Sequence, residues 1–162
     1  MNRLLLAVTV AVVALLSVPA PAHAQTAQSN PAPLVPRGDV FLGVAFFEQE
    51  GTSLCGFHLT GTWRAGAHVG VVGDVAVYGD HASYMGGVRV QSPGRHTLFV
   101  QLLAGKAPFS FFAIQPGIGF DSRVSRRVAV RTSADVKFSG DDSKTFIGTR
   151  LSVGLVILLG QQ

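Results

Sequence analysis

The sequence contains little charge, and this scarcity bears on the class of protein. Asp, Glu, Lys and Arg make up 14% of the 162 residues, against about 25% in typical soluble domains. The formal net charge is +4, and the basic residues are scattered along the chain instead of forming the concentrated patch that nucleic-acid binding requires. We therefore expect no nucleic-acid partner.

Cysteine is nearly absent, and so is a helical hydrophobic pattern. Cys55 is the single cysteine, so no disulfide can form within the chain. After Asp39, no segment repeats apolar residues with a helical period over more than about one turn. These absences argue against a disulfide-stabilised fold and against an α-helical one.

The chain begins with the features of a secretory signal peptide. Arg3 precedes an apolar run from Leu4 to Val18, and Ala22-His23-Ala24 gives the small-x-small pattern of a cleavage site. The run is shorter than the about 20 residues that a transmembrane helix needs. The sequence predicts a cleaved signal peptide, a proline-rich flexible lead and one domain, at residues 1–24, 25–38 and 39–160.

From Asp39 onward the hydrophobic pattern has a period of two residues, which is typical of β-strands. Short connections containing Gly, Pro, Ser and Asp separate the alternating segments, as in an up-and-down meander. Each segment is near the about 9–11 residues that a tilted membrane strand needs. We predict eight strands, at residues 39–48, 54–64, 67–78, 82–91, 96–106, 111–121, 127–138 and 146–159.

The two faces of these strands differ, as the stretch VAVRTSADVKF at residues 128–138 illustrates. One face carries Val, Thr, Ala and Phe, whereas Arg131, Asp135 and Lys137 share the other. In a soluble sheet the second face would be solvated and rich in charge, but here it consists mostly of Gly, Ala and Ser. We therefore predict an all-β fold, a single eight-stranded antiparallel up-and-down transmembrane β-barrel that is apolar outside and polar inside.

Two sets of candidate residues follow from this arrangement. The polar residues of the inner face are expected to form a charge-paired network in the lumen: Asp74, Arg89, Gln101, Gln115, Asp121, Arg131, Asp135, Lys137 and Arg150. Aromatic residues near the strand ends are expected to form girdles at the two bilayer interfaces: Phe46, Trp63, Tyr78, Tyr84, Phe112, Phe120, Phe138 and Phe146.

Residues 56–160 resemble the small porin-like outer-membrane β-barrel proteins of Gram-negative bacteria. The stretches that carry the resemblance are GFHLTGTWRAGAHVGVVGDVAVYG, SYMGGVRV, FFAIQPGIGFDSRVSRRVAVR and TRLSVGLVILLG. The resemblance implies location in the outer membrane, contact with its lipids, and insertion by the outer-membrane assembly machinery with periplasmic chaperones. We expect a monomer. Many such barrels end in an aromatic residue, whereas this chain ends in Leu-Gly-Gln-Gln.

The function expected from these features is a structural or passive role, or a very narrow pore with a charge-paired lumen. One alternative is a soluble periplasmic barrel that binds a lipophilic ligand as lipocalin-like proteins do, but it would need an apolar lumen. The other is a lipid A-modifying enzyme using His81 and Ser83, which lie two residues apart. No acidic residue that could orient the imidazole is evident, so we expect no enzyme activity.

His58, His68 and His96 lie on separate segments, so neither a metal site nor a cofactor is expected. The connections at one end of the predicted barrel contain Arg64, Arg95, Arg123, Arg126 and Arg127, and those at the other end are mainly acidic. An even number of strands places both termini on one side of the membrane, which we expect to be the periplasmic side, together with these arginines. We hypothesise that they contact phospholipid headgroups of the inner leaflet.

Overall fold

A computed structural model describes residues 36–141 and 144–161. The predicted signal peptide and most of the predicted lead lie outside the described residues. Within them, no helix is long and apolar enough to cross a membrane. Eight strands are present: β1 (Pro36–Gln49), β2 (Thr52–Arg64), β3 (Val69–Tyr78), β4 (His81–Gln91), β5 (His96–Ala107), β6 (Ser110–Arg123), β7 (Val128–Asp141) and β8 (Lys144–Gln161).

The strands form a closed antiparallel barrel in which each strand pairs with the next and β8 pairs with β1. The predicted fold class is therefore confirmed. Strand β1 begins at Pro36, which pairs with Gln161, so the last three residues of the predicted lead belong to the barrel wall. Closure leaves no unpaired strand edge, because every strand has a hydrogen-bonded neighbour on both sides.

The two ends of the barrel are named here by the chain termini. The terminal end is the one at which β1 begins and β8 ends, with connections at 65–68, 92–95 and 124–127. The far end contains the tight connection between β1 and β2, where Glu50 and Gly51 have φ values of 49° and 82°. Two successive positive φ values are characteristic of the type I′ hairpin turn, whose twist matches that of the flanking strands.

Side chains alternate between the interior and the exterior along every strand. On β7, Arg131, Asp135 and Lys137 are buried inside, while Val136 and Phe138 are exposed on the outer wall. The alternation is the direct consequence of the two-residue period of an extended chain. The assignment of faces from the sequence is thus the one the barrel adopts.

Inward-facing glycines make room for large interior side chains. A Cβ atom on Gly119 would lie 2.2 Å from Cζ of Phe99, and one on Gly117 would overlap the carboxylate of Asp135. An eight-stranded barrel is just wide enough for side chains to fill it, so aromatic rings and arginines fit only where the opposing wall is bare. The glycine content of the inner face is explained by this packing.

Two of the predicted girdle residues do not face outward. Tyr78 is 1% exposed and its ring packs against Phe47 at a centroid distance of 5.6 Å, because it shares the inward side of β3 with Asp74 and Ala76. Phe146 pairs with the buried Ser139 and so lies on the inward side of β8. Both predictions were wrong, since proximity to a strand end does not decide the face.

The other predicted aromatic residues lie on the outer face of the wall. Phe120 is partly buried there and stacks on His96, with ring centroids 5.8 Å apart. The exposed ones are Phe46, Trp63, Tyr84, Phe112 and Phe138.

Candidate functional site

The barrel interior contains a network of buried charged side chains drawn from six strands. Its members are acidic and basic in equal number, since Asp39, Asp74, Asp121 and Asp135 accompany Arg89, Arg131, Arg150 and Lys137, all at most 5% exposed. All nine residues predicted for the lumen, including Gln101 and Gln115, are buried in the interior.

Arg150 of β8 is the centre of the network. Its Nη1 and Nη2 donate to the two carboxylate oxygens of Asp74 at 2.8 and 2.9 Å, and its Nε donates to Asp135 at 3.0 Å. A bidentate guanidinium–carboxylate pair is both strong and geometrically specific. Arg150 thereby joins β8 to its neighbour β7 and, across the lumen, to β3.

His58 of β2 extends this centre. Its Nε2 lies 2.7 Å from a carboxylate oxygen of Asp74, and its Nδ1 lies 3.0 Å from the hydroxyl of Ser152. The ring also makes an edge contact with Phe41 at 5.0 Å. Asp74 therefore accepts from two different strands, which orients its carboxylate within the barrel.

A second cluster occupies the terminal half of the interior. Arg131 donates through Nε and Nη2 to the two oxygens of Asp121 at 2.7 and 2.8 Å, and Nη2 also donates to Asp39 at 3.0 Å. Arg64, which is half-buried near the terminal end, donates to the other oxygen of Asp39 at 3.2 Å. Both carboxylates are thus engaged by guanidinium groups.

Arg89 and Gln101 connect the two clusters. Arg89 donates to the amide oxygen of Gln101 at 2.8 Å from Nη2, and Gln101 donates from its amide nitrogen to Asp135 at 2.8 Å. The ring of Phe99 lies 4.1 Å from the Arg89 guanidinium and 4.9 Å from that of Arg131. Cation–π contacts at these distances stabilise guanidinium groups that are buried away from water.

Most of the buried polar atoms that lack a hydrogen-bond partner among the described residues lie in the far half of the interior, although Arg131 Nη1 in the terminal half lacks one too. Lys137 Nζ, Ser83 Oγ and both amide atoms of Gln115 have no hydrogen-bond partner among the described residues. Lys137 instead lies over the ring of Phe47, with Nζ 4.5 Å from the centroid. The network therefore ends at Arg150 and does not extend to the far rim.

Sequence reasoning missed two central members of the network, Asp39 and His58. From the sequence, Asp39 is only the first residue of the predicted domain, and His58 is only a histidine on a segment separate from the other histidines. The alternation would have identified both, since Asp39 shares a face with Phe41 and His58 shares one with Thr60. Their partners were not predictable, because they lie on other strands.

The interior does not have the character that the alternative functions need. A cavity for a lipophilic ligand would be apolar, whereas this lumen contains eight buried charged side chains beside its apolar ones. Ser83 is fully buried, and the His81 ring packs on Phe109 at 4.7 Å, so the two do not form a hydrogen-bonded pair. Among the described residues, no three His, Cys, Asp or Glu side chains are grouped to hold a metal ion.

Comparisons with known proteins found similarity at the level of structure. Ail, the attachment invasion locus protein of Yersinia pestis, crystallised with the heparin analogue sucrose octasulfate, has a TM-score of 0.49 at 15% identity over 74% of this chain and 97% of its own. Neisserial surface protein A (NspA) has a TM-score of 0.49 at 14% identity over 75% of this chain and 96% of its own. No protein family and no curated protein sequence matches the chain.

Proposed function

We propose that this chain is a small β-barrel of the bacterial outer membrane whose interior is closed and whose role is structural. Its partners are then the lipids of that membrane and, during biogenesis, periplasmic chaperones and the assembly machinery that inserts barrels. The observation that carries the proposal is the inversion of the two faces, with buried charge inside and exposed apolar side chains outside.

The outer wall supports the membrane location. Large apolar side chains are exposed on every strand, and Phe57 and Trp63 are 71% and 68% exposed. A water-soluble monomer rarely exposes a contiguous apolar patch larger than a few hundred Å², and here the apolar surface surrounds the barrel. A closed barrel is also one of the two structures that satisfy every backbone polar group in lipid.

The interior favours a closed barrel rather than a conducting pore. Arg89, Arg131 and Arg150 are its largest fully buried side chains and are at most 1% exposed, so water does not reach them. The buried charges balance in sign, and the guanidinium groups bridge strands on opposite sides. Ion passage would require several of these pairs to separate within a medium of low dielectric constant, which is costly.

A planar-bilayer recording of the purified, folded protein tests the closed interior. We expect no conductance steps above the background of the bilayer. The matched variant combines Asp74→Ser with Arg150→Ser, which removes one charge of each sign and leaves the lumen neutral but wider. A difference in gel mobility between unboiled and boiled samples establishes that each protein is folded.

We expect conductance steps only from the double variant and none from the unaltered protein. Regular steps from the unaltered protein would show a pore and overturn the closed interior while leaving the membrane barrel intact. Recovery of the unaltered protein in the soluble periplasmic fraction, with no heat-dependent shift, would overturn the membrane location itself.

A further inference from the structure

A shallow, open groove of about 510 Å³ lies on the outer wall near the terminal end. Its floor includes Gly61 and Gly73, which pair with each other on β2 and β3 and would place a Cβ atom in open space. Trp63, Val71 and Leu159 form its sides. The groove is thus an apolar depression of the membrane-facing surface, produced where the wall lacks side chains.

An arginine lies at the terminal mouth of this groove, and others lie elsewhere on the same rim of the barrel. Arg37 lines the groove, is exposed, and lies beside Gly160. Arg95, Arg126 and Arg127 are exposed at the same end of the barrel. The exposed charge on this rim is therefore basic, and Arg37 is the part of it that reaches the groove.

The acidic residues near the rim do not offset its charge at the surface. Asp39 borders the groove, but its carboxylate is buried and is engaged by Arg131 and Arg64 inside the barrel. Asp121 is likewise held by Arg131. Among the described residues, the exposed charges at the terminal end are all basic.

We propose that this groove binds a phospholipid with an anionic headgroup. One acyl chain lies over Gly61 and Gly73 against Trp63, and the phosphate meets Arg37 at the mouth. The chemistry of the two parts selects the ligand, because an apolar trench that ends at an exposed guanidinium matches an acyl chain that ends at a phosphate. The inference rests on the proposed membrane location, and it adds a particular lipid class at a particular site.

The single tryptophan of the chain makes the site directly observable, since Trp63 forms one side of the groove. The folded protein is reconstituted in phosphatidylcholine vesicles containing increasing fractions of either dibromo-phosphatidylglycerol or dibromo-phosphatidylcholine. Bromine quenches indole fluorescence only on contact, so the dependence on lipid fraction gives the relative affinity of each lipid for the groove.

We expect the anionic lipid to bind about five-fold more tightly than the zwitterionic one, the factor corresponding to one arginine near an anionic headgroup. Arg37→Gln should abolish this preference. Arg95→Gln is the matched control, because it removes an equally exposed arginine from the same end without altering the groove, and it should keep the preference. Gly73→Leu should weaken quenching by both lipids because it fills the trench.

The outcomes separate this inference from the membrane location. Equal quenching by the two lipids, or a preference that survives Arg37→Gln, would overturn the lipid site while leaving the barrel in the membrane. Absence of quenching by either lipid, together with a crosslinked dimer, would show that a second copy covers the groove. Absence of quenching without a dimer would overturn the membrane location and the site together.

Discussion

The terminal and far halves of the barrel interior are equally buried but differ in how their polar groups are satisfied. Arg131 makes three hydrogen bonds to two carboxylates, and Arg150 makes three to another two. Lys137 has no hydrogen-bond partner among the described residues. Burial alone therefore does not show which interior charges hold the barrel together.

Pairing gives the two halves different physical roles. Removing one member of a buried ion pair leaves the other uncompensated, whereas removing an unpaired polar group relieves its desolvation penalty. The guanidinium clusters should thus determine stability in the centre and the terminal half. In the far half, the size and shape of the side chains should affect stability more than their charge does.

The largest loss of stability should come from Arg150→Met, which leaves Asp74 and Asp135 buried without the guanidinium group that pairs with them. We expect the barrel to be destabilised by about 3–5 kcal/mol, measured as the midpoint of urea unfolding in lipid vesicles. Adding Asp74→Leu to this variant should restore part of the loss. A change below about 1 kcal/mol for Arg150→Met would mean that the central pairs contribute little.

Gly119→Ala should have the next largest effect, because its new Cβ would lie 2.2 Å from Phe99 Cζ, and that ring is held between Arg89 and Arg131. Overpacking of this kind costs about 1–3 kcal/mol in the same unfolding measurement. Gly73→Ala is the control, since its Cβ would meet nothing within 4 Å and should be tolerated. Equal losses from both would show that steric fit inside the barrel is not the cause.

His58→Leu should have a smaller effect than loss of Arg150. Asp74 keeps both of its hydrogen bonds from Arg150, so the change removes one bond to Asp74 and one to Ser152. A hydrogen bond to a charged group contributes about 1.5–3 kcal/mol and a neutral one about 0.5–1.5 kcal/mol, and we expect a loss of stability near the lower end of their sum. A loss equal to that of Arg150→Met would identify His58 as the centre of the network instead.

Lys137→Met should have the smallest effect, with a stability within about 1 kcal/mol of the unaltered protein. The substitution keeps an unbranched chain against Phe47 and removes a buried ammonium group without a hydrogen-bond partner. Thermal scans followed by gel mobility give the comparison with Arg150→Met. A loss as large as that of Arg150→Met would erase the distinction between the two halves.

The barrel and the direction of its faces were predictable because both follow from a two-residue period that the sequence displays. The interior contacts were not, since alternation assigns a side chain to a face and not to a partner. Arg150 and Asp74 are 76 residues apart, on strands that meet only across the lumen of the closed barrel. Tyr78 lies on the inner face, contrary to prediction, because the alternation along β3 decides the face of a side chain and its position at a strand end does not.

The measurement that tests the orientation of the faces most directly is spin-label accessibility along β7. Single cysteines at Val130, Ala134 and Val136, in a Cys55→Ser background that removes the exposed native thiol, are labelled in the vesicle-reconstituted protein. Collision with oxygen, which concentrates in lipid, is compared with collision with a water-soluble nickel chelate. We predict that all three outward positions favour oxygen, most strongly at the middle of the strand. Preferential collision with the nickel chelate at these positions would show that the apolar wall faces water and would contradict a membrane barrel.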